Sequence, residues 1–300
     1  MKKTLITVSG PTAVGKTKFS LDLAKLLNCE IISSDSRQFY KELSIGTAVP
    51  SEKELKDVKH HCVQHKSILD SYTIKDFEKE ALKIIENQFK KNKYVIMVGG
   101  SGLYMDAVTN GLDEFPEIDN KVREDLNIKF QKFGIVYLQK KLKKLDPNYF
   151  TKVDIKNPRR LIRALEVSIS SKKPYSSFVG RKKANHPFDL FHIGLNIERK
   201  KLYNRINSRV DEMIKRGLVN EVKTLINFKN LNALNTLGYK ELFNFLENKT
   251  TLEDSIQEIK KNSRKFAKRQ ITWLRKKKEI LWIDNITKVE EIKKNYLDFK

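Results

Sequence analysis

Thr4-Leu5-Ile6-Thr7-Val8-Ser9-Gly10-Pro11-Thr12-Ala13-Val14-Gly15-Lys16-Thr17 decides how the rest of the chain is read. Leu5 to Val8 is a short apolar run with the length of a buried strand. A glycine-bearing turn follows, and Lys16 to Leu27 then places Phe19, Leu23, Leu26 and Leu27 on one helical face. Gly10 to Thr17 matches the spacing G-x-x-x-x-G-K-[ST], and it lies between a strand and a helix, the context that gives the motif meaning. The glycines let backbone N–H groups curl toward phosphate oxygens, and the helix N-terminus adds partial positive charge. Lys16 adds a full charge, and the Thr17 hydroxyl is suited to a magnesium ion held with the phosphate.

Outward from this loop, strands and helices alternate. Glu30 to Ser34 reads as a second strand ending at Asp35. Thr73 to Lys90 reads as an amphipathic helix with Ile74, Phe77, Ala81, Ile84, Ile85 and Phe89 inward. Tyr94 to Val98 is a strand closed by Gly99-Gly100, and Ser101 to Val108 is the next helix. This order predicts an α/β fold, a P-loop NTPase-like parallel sheet flanked by helices. After about Gly111 the strand pattern stops. Val122 to Phe133, Val136 to Leu145 and Asn157 to Ser170 have helical periodicity, with Pro158 near the start of the third. Leu190 to Ile197 returns to a strand. The expected organisation is therefore a core over 1–113, an inserted all-helical domain over 114–187, and the rest of the core over 188–300. In that last part, Arg199–Arg216, Leu218–Phe228 and Leu252 to about Lys276 read as helices, and Ile280–Ile283 as a last strand.

Lys and Arg number 60 against 37 Asp and Glu, a formal net charge of +23. A surplus of this size creates a positive potential suited to a polyanion, nucleic acid first. No apolar stretch reaches the length of a membrane span, and the run after Met1-Lys2-Lys3 stops at Ser9-Gly10, too short for an export signal. Two cysteines, Cys29 and Cys62, do not make a disulfide framework. These features predict a cytoplasmic protein with no membrane association.

The phosphate motif alone points to ATP, yet the strand Tyr94–Val98 ends in Gly99-Gly100-Ser101 and offers no carboxylate to manage magnesium and water. The acid at a neighbouring strand end is Asp35, in Ser34-Asp35-Ser36-Arg37-Gln38. A carboxylate there is either a general base or a helix N-cap. Spacing alone leaves both open, and Ser101 carries the same two readings.

Several further runs join these. Ser34-Asp35-Ser36-Arg37-Gln38-Phe39-Tyr40, Ile45-Gly46-Thr47-Ala48, Val98-Gly99-Gly100-Ser101-Gly102-Leu103-Tyr104, Asn157-Pro158-Arg159-Arg160-Leu161-Ile162-Arg163-Ala164-Leu165-Glu166, Gly238-Tyr239-Lys240-Glu241 and Lys268-Arg269-Gln270-Ile271-Thr272-Trp273 occur in that order. Together with the P-loop they resemble the tRNA isopentenyltransferase family over nearly the whole chain. The resemblance implies transfer of a dimethylallyl group from dimethylallyl diphosphate to N6 of adenine 37 in tRNA, with release of diphosphate and a need for Mg2+. The P-loop would then grip a diphosphate. Asp35 and Ser101 are the implied catalytic residues. The implied tRNA contacts are Asp35, Ser36, Arg37, Gln38, Ser101, Arg123, Arg159, Arg160, Leu161, Ile162, Arg163, Lys268, Arg269 and Gln270. Gly10, Pro11, Thr12, Ala13, Val14, Gly15, Lys16 and Thr17 form the diphosphate site, with Thr17 toward the metal. The expected partners are the anticodon stem-loop of tRNA and dimethylallyl diphosphate, with no obligate protein partner. Many relatives carry Thr at the position of Ser101, and some carry Arg at that of Asn235.

The target base lies in a stacked loop and must be extracted into a pocket. Arg159 and Arg163 lie four apart on one helix and share a face, which turns Arg160 away from them. Lys260, Lys261, Arg264, Lys265, Lys268, Arg269 and Arg275 make the last long helix strongly basic around Trp273. His60-His61-Cys62-Val63-Gln64-His65 holds four metal-ligand types. No second Cys or His pair follows at zinc-finger spacing, so a core or channel role is expected there instead. Three other readings remain: a small-molecule kinase using ATP, a dimethylallyltransferase acting on free AMP or ADP, and a non-catalytic RNA-binding protein. The first two leave the basic C-terminal helix without a use, and the third leaves the P-loop and Asp35 without one.

Overall fold

A computed structural model describes residues 3–100, 102–180, 184–284 and 286–297. The chain divides into two compact units, 1–109 with 185–300, and 110–184. The helical insertion therefore runs a few residues earlier than the 114–187 expected from sequence.

The first unit begins with β1 (Thr4–Ser9), α1 (Lys16–Leu27), β2 (Ile31–Ser33), α2 (Glu52–Asp57), β3 (His60–His61), α3 (Ile74–Phe89), β4 (Tyr94–Gly99) and α4 (Gly102–Asn110). In the second unit follow α5 (Asn120–Leu145), α6 (Pro147–Phe150) and α7 (Pro158–Ser171). The first unit resumes with β5 (Asp189–Asn196), α8 (Arg199–Lys215), α9 (Leu218–Thr224), α10 (Tyr239–Leu246), α11 (Leu252–Leu274), β6 (Ile280–Asp284) and α12 (Val289–Ile292).

The six strands form one parallel sheet in the order β3-β2-β4-β1-β5-β6. Alternate residues feed two cores. Leu5, Ile32, Val95 and Met97 point to one face; Ile6, Val8, Ile31, Ile96, Ile193 and Leu195 point to the other. Burial on both faces is why these strands read as apolar runs rather than alternating ones. Val8 pairs with Val98 and Ser33 with Val98, so β1, β2 and β4 end at one level. The P-loop, Asp35 and Gly99-Gly100 leave the sheet at that shared carboxyl edge, where ligands of open α/β sheets bind.

Two long helices continue from one core to the other. Helix α8 gives Leu202 and Ile206 to the second core and Val210 to the first. Helix α11 gives Ile259 to the first core and Ala267 to the second. They are tied together by Arg264 to Asn207 Oδ1 (2.6 Å) and Lys260 to Asp211 (2.6 Å).

The helical unit has its own core of Leu126, Leu138, Leu142, Leu161, Ile162, Ala164 and Leu165. The two helices expected before and after residue 134 run as α5 with a break at Gly134 (φ 69°, ψ −172°). That left-handed φ suits glycine. Asn157 caps α7 by accepting from the Arg160 amide, with Pro158 at the first helical position.

Candidate active site

Gly15 adopts φ 112° and turns the chain from the loop into α1, whose first turn carries Lys16 and Thr17. The Lys16 ammonium donates to the carbonyls of Gly10 (3.0 Å) and Pro11 (2.9 Å). Burial pushes its pKa down to about 8; the charge of Asp35 opposes that shift and the charge of Arg209 adds to it. Asp35 likewise favours the charged form of Arg209, whose pKa is lowered by burial. One carboxylate and two cations thus share a water-poor site at the end of the sheet, where each charge acts more strongly than in bulk water.

Arg209 was not among the residues expected from sequence. Its Nη1 donates to Thr12 Oγ1 (3.3 Å), and one turn earlier Arg205 Nη1 donates to the Val14 carbonyl (3.1 Å). The four-residue spacing of Arg205 and Arg209 on a helix is a readable signal. Their target, nearly two hundred residues away, is not.

Asp35 Oδ1 accepts from the Arg37 amide at 3.1 Å, and the Asp35 amide lies 3.3 Å from Ser33 Oγ. The turn-capping role of Asp35 is therefore real. It uses one carboxylate oxygen, and among the described residues Oδ2 has no hydrogen-bond partner. Gln38 receives from Ser33 Oγ (3.0 Å) and donates to the carbonyls of Thr47 (3.3 Å) and Ala48 (3.0 Å). Arg37 donates to the carbonyls of Asn232 and Ala233, both at 2.9 Å, and to that of Asn235 at 3.5 Å. Arg37 braces the Asp35 turn against the distant 232–235 loop, and Gln38 against the nearby 47–48 loop. Ser36 lies in the same turn, half exposed.

Gln270, expected at RNA, is only 7% exposed. Its Oε1 accepts from the Thr12 amide and its Nε2 donates to the Gly100 carbonyl, both at 2.8 Å. A Cβ on Gly100 would come 2.4 Å from that nitrogen, and one on Gly102 would come 2.2 Å from the Trp273 ring. The two glycines and the Gln270–Trp273 stretch are the two sides of one close contact. Ser101, between those glycines, lies outside the described residues, so its expected catalytic role is not placed here. Lys268 and Arg269 are exposed beside Thr272, Trp273 and Lys276, and Lys277 pairs with Asp106 while lying 4.3 Å from the centroid of Trp273.

The Ile45–Ala48 and Gly238–Glu241 runs are also partners. Glu221 accepts from the amides of Ser44 (3.2 Å), Ile45 (2.7 Å) and Gly46 (3.0 Å), and from the fully buried Tyr239 phenol at 2.6 Å. Glu241 caps the turn at Gly238 (2.9 Å) and accepts from Asn262 (2.9 Å).

In the helical unit, Arg123 forms a two-pronged pair with the fully buried Glu166 (2.6 and 2.8 Å), and Arg163 donates to the same carboxylate at 2.6 Å. Arg159 and Arg160 are exposed. The expectation that Leu161 and Ile162 touch RNA needs correction. They are 0% and 8% exposed and fill the core of this unit, because the apolar face of α7 is what holds it to α5.

Thr17 Oγ1 has no hydrogen bond to the described residues, and no trio of carboxylate, His or Cys ligands gathers at the P-loop among them. Such a donor set fits a magnesium ion held mostly by substrate oxygens and water.

A parallel sheet whose first strand runs into a Lys16 phosphate loop, faced by a carboxylate in place of a strand-end hydrolytic acid, defines a P-loop NTPase-like protein built for group transfer from a phosphorylated substrate. The chain belongs to the IPP transferase family, whose model matches residues 38–277. It is 52% identical to the tRNA dimethylallyltransferase of Flavobacterium johnsoniae, covering 97% of this chain and 96% of that one, and 52% identical to that of Christiangramia forsetii, covering 100% and 98%. Among solved structures it resembles the tRNA isopentenylpyrophosphate transferase of Bacillus halodurans, with 38% identity, TM-score 0.71, and coverage of 97% and 94%. A eukaryotic dimethylallyltransferase acting on tRNA aligns with TM-score 0.81 at 28% identity, covering 99% of this chain and 77% of that one. Among the described residues, no helix is long and apolar enough to cross a membrane.

Proposed function

We propose that this protein transfers a dimethylallyl group from dimethylallyl diphosphate to N6 of adenine 37 in tRNA. The observation that carries the reading is the placement of Asp35: a carboxylate with one oxygen unpartnered among the described residues, electrostatically coupled to both Lys16 and Arg209 at the phosphate loop.

In this reading the C1–O bond of the diphosphate ester breaks as the N6–C1 bond forms. One N6 proton passes to Asp35, and diphosphate leaves. The adenine amine is a weak nucleophile because its lone pair is delocalised into the ring, so accepting its proton as the bond forms lowers the barrier. The P-loop amides, Lys16 and Arg209 stabilise the charge that grows on the leaving group. Thr17 would hold a magnesium ion together with the diphosphate, and such an ion would supply further charge neutralisation. Lys268 and Arg269 of α11, and Arg159 and Arg160 of α7, offer exposed cations to RNA phosphates.

Labelled dimethylallyl diphosphate offered with tRNA, with AMP or ADP, or alone tests the reading. Label is expected in tRNA only and to depend on Mg2+. Transfer to the free nucleotides would replace tRNA with a nucleotide acceptor, and no transfer together with phosphorylation from ATP would favour a kinase.

A further inference from the structure

The His60–His65 segment does not behave as one cluster. His60 and His61 form the edge strand β3, where His60 Nδ1 bonds the Val58 carbonyl (2.8 Å) and His61 Nε2 bonds Glu30 (2.5 Å). Immediately after them, Cys62 (φ 58°) and Gln64 (φ 47°) both adopt left-handed backbone conformations. This tight turn swings Cys62 and His65 to one side, and Glu80 of α3 meets them there. One ligand atom from each of Cys62, His65 and Glu80 lies within 4.8 Å of the others.

Three details mark this trio out from a chance gathering. Both ring nitrogens of His65 are buried and neither makes a well-formed hydrogen bond to the described residues, an expensive condition for an imidazole that the long contact of Nε2 with Glu80 relieves only in part. His65 Nε2 and Glu80 Oε1 stand 3.4 Å apart. That matches the edge of about 3.4 Å between N and O ligands of a tetrahedral zinc with bonds near 2.1 Å. The other carboxylate oxygen, Oε2, is held by the Tyr72 phenol (2.9 Å) and lies 3.6 Å from Lys66, so Oε1 is the one left facing His65. Outer partners that orient a carboxylate in this way are typical of metal sites.

We propose that Cys62, His65 and Glu80 form a zinc-binding site with one open position, separate from the magnesium-dependent chemistry at the P-loop. Sulfur, imidazole and carboxylate together are a borderline-soft donor set that favours Zn2+ over Mg2+ or Ca2+. Burial holds His65 toward its neutral, ligating form and pushes the Cys62 thiol up to about 12. Binding therefore replaces the S–H bond with an S–Zn bond and releases one proton to solvent. Three protein ligands leave a fourth position, which water would take.

The site is placed to stiffen the catalytic turn. The amide of Gln64 donates to the Gln38 carbonyl (2.7 Å), that of Lys66 to the Phe39 carbonyl (2.9 Å), and that of Lys41 to the Lys66 carbonyl (2.8 Å). The Phe39 ring meets His65 edge-on at 5.7 Å. Metal bound here would brace the segment that begins at Asp35.

The test is titration of the chelator-treated full-length protein with Co2+, followed by competition with Zn2+. One equivalent is expected to give thiolate-to-cobalt charge transfer in the near ultraviolet with tetrahedral visible bands. Zn2+ should displace the cobalt and raise the melting temperature. Cys62→Ser should abolish the charge-transfer band, Glu80→Gln should weaken affinity by more than the roughly 10–100-fold that loss of an outer partner costs, and Cys29→Ser should change neither. Absence of a stoichiometric band in the wild-type protein, or a band that survives Cys62→Ser, would overturn the proposal without touching the prenyl-transfer reading, which the labelled-substrate assay decides.

Discussion

The Gln270 carboxamide accepts from the Thr12 backbone amide at 2.8 Å, joining the last long helix directly to the phosphate loop. Its other end donates to Gly100, so one buried side chain spans the loops that follow β1 and β4. A residue that reads as part of a basic, RNA-facing run is thus a brace inside the active site.

Gln270→Ala is expected to leave two backbone groups without their partner and cost about 1–3 kcal/mol. Diphosphate-substrate KM should rise with tRNA affinity nearly unchanged. Thermal melts with steady-state kinetics check both. A lost tRNA affinity with normal KM would assign Gln270 to RNA instead.

Tyr239 and Glu221 form a second long-range tie. Tyr239→Phe removes a hydrogen bond to a carboxylate, expected to cost about 1.5–3 kcal/mol. Glu221→Ala should cost more, because it also strips the acceptor from three amides of the 44–46 loop. The double variant should be clearly less than additive, as residues in one network are. Denaturant unfolding of the four proteins measures the coupling.

Arg123 and Arg163 share the buried Glu166 carboxylate. Either Arg→Ala change alone leaves that charge one partner. The double change leaves it none and is expected to destabilise the helical unit by about 3–5 kcal/mol, more than the sum of the singles. Arg159→Ala, at an exposed position, should leave the melting temperature unchanged while weakening tRNA binding and flattening its salt dependence.

Lys16 loses its charge as pH rises through about 8 in the free protein. Diphosphate affinity, and with it kcat/KM, should therefore decline on the alkaline side of that value. The stability effect has the opposite sign. The folded state holds Lys16 below its usual 10.5, so between about 8 and 10.5 the unfolded chain binds the extra proton and this group's contribution rises with pH. A Lys16→Met variant should lose both trends, as pH-resolved kinetics and melts would show.

Local signals made much of this architecture legible. The Gly10–Thr17 spacing located the sheet's first strand and the phosphate loop, and Asp35 stood out as the acid at a strand end. The two-residue strand β3 is not legible in sequence, because two histidines carry no strand periodicity; the sheet edge creates it. The break at Gly134 fell between two helices already read as separate. Arg205, Arg209, Gln270 and Glu221 escaped correct assignment because their partners lie far away in sequence. The motif around Leu161 and Ile162 points to RNA, whereas the apolar face of α7 places them in a core.

The central claim is that Asp35 takes the proton from the attacking amine. The most direct measurement is single-turnover transfer of labelled dimethylallyl to saturating tRNA by Asp35→Asn, with tRNA binding followed in parallel. The account predicts a transfer rate lowered about 10²–10⁴-fold with tRNA affinity largely preserved. Transfer at close to the wild-type rate would contradict it.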